Sequence, residues 1–165
     1  MRCLLAVIAY LLLHASPAFA ADKLVGADAT AIGGQCPRLV QAVVASTGAR
    51  FDHLGFDGQV AALLHRDFER LDVVCAGERR WWSVGGNVQV GFPQPGFYHT
   101  LATAGSTLTG EPAVRVEQGL RRCYRQALDD DEETSMADIG AAHIECLALL
   151  RLDDGVTMLI FKRPG

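Results

Sequence analysis

After Ala21 the sequence contains no uncharged apolar stretch that could cross a bilayer, a task that takes about 20 residues. No membrane span is therefore expected beyond that point. It has no Cys-x-x-Cys and no His-Glu-x-x-His, which removes zinc-ribbon and zincin readings. A Gly-x-Ser-x-Gly elbow, a phosphate-binding Gly-rich loop and a dinucleotide fingerprint are all missing, so no nucleotide cofactor is expected. An excess of basic residues is missing too. With 15 Lys and Arg against 19 Asp and Glu, the formal charge is −4, and nucleic-acid binding needs a basic footprint. A hydrophobic fraction of 50% rules out disorder, and 17 Gly with 6 Pro are too few for a collagenous or low-complexity chain. A length of 165 residues fits one ordinary domain.

The start of the chain carries what the rest lacks. Arg2 supplies a short positive region, and residues 3–13 form an unbroken apolar run. Ala18-Phe19-Ala20 then offers small residues at the −3 and −1 positions of a cleavage site. This is the layout of a secretory signal peptide, and the run is about half the length of a membrane span. The residue directly after the cleavage point is Ala21 and not a cysteine, so lipid acylation is not indicated. The expected division is a signal peptide over 1–20, a flexible lead-in over 21–34 and one domain over 35–165, with a periplasmic or secreted product.

Loss of the leader removes Cys3 and leaves Cys36, Cys75, Cys123 and Cys146. An even count in an exported chain reads as a disulfide framework, here with three possible connectivities. The spacings suit no zinc site, and no metal is expected.

Pro37 suits the first turn of a helix, because its missing N–H would lack a partner there. Cys36, Leu39, Val40, Val43, Val44 and Thr47 then share one helical face, and Gly48 marks the stop. Residues 57–70 are ambiguous between a helical stripe (Val60, Leu63, Leu64, Phe68 and, just beyond, Leu71) and a hairpin through Asp57-Gly58. The Asp-Gly turn favours strands near 50–56, 59–66 and 70–76. Val88, Val90 and Phe92 alternate with Gln89 and Gly91, which predicts a strand over 87–92. Gly33-Gly34 and Gly85-Gly86 read as turn glycines. Pro93-Gln94-Pro95-Gly96 breaks the sheet, and a short helix is expected over 97–106. Pro112 then opens a helix with Val116, Leu120, Cys123, Ala127 and Leu128 on its apolar stripe, and with Arg115, Arg121, Arg122 and Arg125 mostly toward solvent. Two apolar runs over 142–152 and 156–162 flank Asp153-Asp154-Gly155, a second hairpin signal.

The pattern predicts an α+β domain, with helices packed on one face of a mainly antiparallel sheet. Each half holds a helix with a cysteine on its apolar stripe, followed by a strand with another. Helices packed on their own strands would close Cys36–Cys75 and Cys123–Cys146 as two intradomain disulfides.

Cys36 supports an alternative. A cysteine at a helix N-terminus has its thiolate favoured by the helix dipole. Over nine residues, Gln35-Cys36-Pro37-Arg38-Leu39-Val40-Gln41-Ala42-Val43 resembles the nucleophile helix of NlpC-type cysteine peptidases, in which Cys-x-x-Leu-Val opens a helix followed by strands. The resemblance implies a cysteine-dependent hydrolase, with His143 as the base. The usual Asp-Cys-Ser-Gly is Gln-Cys-Pro-Arg here, and the family's Pro-Gly-Asp and His-Val-Gly strands are missing. His53, His65 and His99 form no tight ligand pair. His143-Ile144-Glu145 places two polar groups on one strand face, but lacks the Pro-Cys-x-x-Cys of a zinc deaminase. The acidic run over 129–133 lacks the spacing of a calcium loop and reads as a solvated loop.

An aromatic group brackets the Pro-rich segment: Trp81 and Trp82, then Phe92, Phe97, Tyr98 and His99. Adjacent Trp residues on a strand point to opposite faces, and Trp and Tyr give large contact area at low entropy cost. Arg79-Arg80 could add a cationic rim. These residues form the predicted contact site of a non-enzymatic binding or accessory protein of the cell envelope (inhibitor, immunity or subunit type), whose partner is an envelope protein or a glycan. The same rings could instead plug one end of a small core.

Overall fold

A computed structural model describes residues 36–76, 82–89, 92–149 and 155–163. The expected leader and lead-in, Trp81, Arg79-Arg80 and the turn pair Asp153-Asp154 lie outside the described residues. Helix α1 spans Cys36–Thr47. It stops where Gly48 takes a φ of 73° and donates its N–H to Val44 O at 3.0 Å. Strands β1 (Arg50–Gly55), β2 (Val60–Leu64) and β3 (Arg70–Val74) follow as a meander, so the hairpin reading of 57–70 holds over the helical one. The β1–β2 turn takes four residues rather than two. Phe56, Asp57 and Gly58 all have positive φ, and the N–H groups of Gly58 and Gln59 bond back to Gly55 O and Phe56 O.

Two boundaries differ from expectation. Strand β4 is Ser83–Val88, not 87–92, and the Gly85-Gly86 pair read as a turn sits at its centre. The reason is room: a Cβ on Gly86 would run into the Phe68 ring, and one on Gly85 into the Leu159 side chain. Here glycine marks close packing against a strand, a use its sequence does not distinguish from turning. Helix α2 is Pro95–Thr109, longer at both ends than the expected 97–106. Pro95 occupies its first turn, and the Asp67 carboxylate from the β2–β3 loop packs against Gly96 and accepts the Thr100 hydroxyl at 3.5 Å. A negative charge there complements the helix dipole.

Helix α3 is Ala113–Asp129, with Val116, Leu120, Cys123 and Ala127 fully buried. Leu128, expected on that stripe, is 38% exposed. Strand β5 (Thr134–Ile139) was not anticipated, because Thr-Ser-Met-Ala-Asp-Ile carries little strand signal. It pairs with β6 (Ala142–Leu149) through the Gly140-Ala141 turn, and β6 pairs with β7 (Gly155–Lys162). Glu111 pins that turn by accepting the Ala141 N–H at 2.9 Å.

The seven strands among the described residues form one antiparallel sheet in the order β1-β2-β3-β4-β7-β6-β5. Its register decides which face each residue occupies. Val73 pairs with Val84, Val84 with Ile160, and Ile160 with Ile144, so these four share one face. All four are fully buried. Cys75 follows Val73 by two residues and Cys146 follows Ile144 by two, which puts both on that same face. Cys75 is bonded to Cys36 of α1 and Cys146 to Cys123 of α3, with Cα–Cα distances of 5.8 and 6.0 Å. The described helices therefore cover one face of the sheet, as expected. Gly105 of α2 lies against Ile160, and Gly119 of α3 against Ile144, where a Cβ would collide. Small residues at these points let both helices settle close to the strands.

The bridges close loops of 39 and 23 residues. Chain-entropy reasoning gives each a stabilisation of about 3–4 kcal/mol. Replacing Cys36 and Cys75 together by Ala, or Cys123 and Cys146 together, is expected to lower the unfolding free energy by that amount. Urea denaturation of the two double variants checks it.

Candidate functional site

The aromatic group predicted as a contact site is divided by the fold. Phe97 and Tyr98 are in the first turns of α2, and both are buried. Phe97 packs on Phe68 with ring centroids 4.6 Å apart. Tyr98 faces Tyr124 of α3 at 6.3 Å and lies under the Arg121 guanidinium, 4.3 Å from the ring centre. Helical phase turns His99 to solvent, where it approaches Glu117 at 3.7 Å. Phe92 is 64% exposed, and Trp82 is half-buried against the core with its Nε1 unpaired among the described residues. Phe92 and His99 thus remain at the surface, while Phe97 and Tyr98 serve the interior.

Cys36 and His143 are not brought together. The Cys36 sulfur is bonded to Cys75 and buried on the helix side, and a disulfide sulfur has no thiolate to attack with. His143 is on the opposite face of the sheet, because it alternates with Ile144 along β6. There its Nδ1 lies 2.8 Å from Asp138 Oδ1 and its Nε2 3.4 Å from Glu145 Oε1, and Arg163 reaches Asp138 at 3.2 Å. His143 and Glu145 do share a face, as their spacing predicts. The hydrogen bond from His143, reinforced by the Arg163 and His143 charges, holds the Asp138 carboxyl below the usual carboxylate range.

The face away from the helices also carries a groove of about 600 Å³ at the β1–β4 end. Ala62, Leu64, Arg70 and Asn87 line its floor across three adjacent strands. Asp52, His53, Phe56, Glu69 and Gln89 also line the groove. His53 Nδ1 is 2.8 Å from Asp52 Oδ2, and Arg70 Nε is 2.6 Å from Asp72 Oδ2. Asp72 Oδ1 and Asn87 Oδ1 are buried and have no hydrogen-bond partner among the described residues. Phe56 stands at the hairpin tip with 75% of its surface exposed. The volume falls in the range of ligand sites, and polar groups beside one exposed ring suit recognition of a polar molecule or a partner loop.

Sequence reasoning missed this groove because its residues are scattered from 52 to 89. Two local signals pointed to it. Phe56 abuts an Asp-Gly turn, where no core position exists for it, and Arg70 and Asp72 are two apart on one strand face. No protein-family model, curated protein or solved structure matches the chain.

Two pH effects follow. Burial, with Tyr124 adding to it and Arg121 partly opposing it, pushes the Tyr98 phenol up to about 12. An unfolded tyrosine ionises near pH 10, so stability falls as pH climbs from about 10 to about 12. Tyr98→Phe is expected to flatten that alkaline loss, read from urea midpoints across the window. Asp138 behaves oppositely. Its contribution is present above the unfolded carboxylate value and is lost as pH falls through the lowered folded value. The drop in urea midpoint between pH 5 and pH 3 is therefore expected to be smaller in Asp138→Asn than in the native protein.

Proposed function

We propose that this protein is an exported, disulfide-stabilised binding or accessory domain of the cell envelope, periplasmic or secreted, that acts through the helix-free face of its sheet and performs no catalysis. The observation that carries this reading is one-sidedness. The described helices and both bridges occupy one face, and the other presents a groove with an exposed aromatic at its lip. Antiparallel sheets often leave one face to solvent, but a solvated face needs no such groove. Three further features support the reading. The signal-peptide layout of residues 1–20 supplies a route out of the cytoplasm. Paired cysteines fit an oxidising compartment. The residue types around the groove recognise envelope proteins or glycans without a nucleophile.

Photo-crosslinking in the native host tests it. A photoreactive residue replacing Phe56 is expected to capture a partner, whereas one replacing Arg122 on the exposed side of α3 is not. Capture at position 122 alone overturns the choice of face, and capture at neither position overturns the binding reading. In the same preparation, the mass of the product is expected to correspond to a chain beginning at Ala21. No thiol should react with an alkylating agent under denaturing, non-reducing conditions.

A further inference from the structure

The two edges of the sheet are built differently. On β1 the pairing register slips between Phe51 and His53, and such bulges keep an edge strand from pairing with other chains. The opposite edge, β5, has no slip, no Pro and no Lys, and its residues pair one for one with β6. Hydrogen bonding in an antiparallel ladder alternates along the strand. Ala148 donates its N–H to Glu133 O at 2.8 Å, which sets the phase. Ser135, Ala137 and Ile139 direct their main-chain groups to β6, while Thr134, Met136 and Asp138 present theirs to the outer edge, where no described strand pairs with them. Met136 sits at the middle of that edge, 68% exposed.

We infer that β5 pairs with β5 of a second copy of this chain, antiparallel about a twofold axis at Met136, joining two seven-stranded sheets edge to edge. A twofold contact of this kind is self-complementary and closes after two copies. Main-chain phase and charge together select the register. Only even-numbered residues offer free edge groups, so Met136 can centre on itself or slip by two. Centred, Thr134 faces Asp138 of the second copy, and its hydroxyl can donate to that carboxylate at both ends of the pairing. A slip one way sets Glu132 against Asp138, two like charges. A slip the other way sets the Asp138 carboxylate against the Met136 thioether, which cannot donate. His143 and Arg163 hold the Asp138 charge in place on the strand. A strand of this length buries less surface than a permanent dimer needs, so the association is reversible. It does not depend on what the groove binds.

Sedimentation velocity over a concentration series of the purified protein tests the pairing, with circular dichroism as the folding control. The expected result is a reversible monomer–dimer equilibrium. Met136→Lys places two ammonium groups opposite one another and is expected to raise the dimer dissociation constant at least about tenfold. Thr134→Lys sets each ammonium against Asp138 of the second copy and is expected to lower it about threefold. Both side chains are exposed, so the fold tolerates either change, and each variant tests the register by itself. A native protein that stays monomeric throughout overturns the proposal. So does a dimer whose constant Met136→Lys leaves unchanged, and a weaker dimer in Thr134→Lys overturns the register.

Discussion

Two sulfur bridges landing on the same face of one sheet set the terms for everything else in this molecule. Cys75 directly follows β3 and Cys146 is on β6, far apart in sequence, yet the strand registers bring both to one side. Their partners, Cys36 and Cys123, are on α1 and α3, so two helices are tied to that side and α2 fills the space between them, packing on both. Apolar side chains of all three helices then belong to one hydrophobic core with the buried row of Val73, Val84, Ile144 and Ile160. With one face committed in this way, the other is left to polar and half-buried residues.

That division explains the fate of the aromatic residues. An aromatic ring carries the largest apolar area a side chain can bury, and a domain of this size must use its rings for the interior. Phe97 and Tyr98 are drawn inside because Pro95 starts a helix two residues ahead of Phe97, and helical phase then turns that pair toward Phe68 and Tyr124. Phe56 escapes the same pull because a turn of three successive left-handed residues holds it beyond the sheet. Phe56 is therefore available for contact beside the groove, while near the Pro-rich segment Phe97 and Tyr98 are interior and Phe92 is exposed. The surface histidines follow a similar logic. His53 and His143 each sit beside a carboxylate on the helix-free face, which gives that face its polar character at both ends.

A sheet assembled entirely from antiparallel neighbours must have two edges, and here they receive opposite treatment. β1 is bent by its bulge and lies beside the groove. β5 is regular, short and preceded by the acidic run over 129–133, where Glu133 adopts a positive φ. The acidic run ends α3 and reverses the chain into the edge strand, which is a structural use for residues that the sequence offered only as a solvated loop.

Hydropathy period, turn residues and cysteine parity were sufficient to derive the α+β class, the first helix, the β1–β3 meander, the long arginine-rich helix, the β6–β7 pair and both bridges. These features are local or follow from counting, and their signals reside in contiguous residues. The position of β4, the existence of β5 and the groove depended on contacts between distant segments. Gly85 and Gly86 belong to a strand because Leu159 and Phe68 fill the space beside them, and Thr134–Ile139 is extended because β6 offers it a partner. The site was least legible of all. Alternation along a strand reveals that two faces exist, but only the registers of seven strands decide which face the helices cover and which remains open.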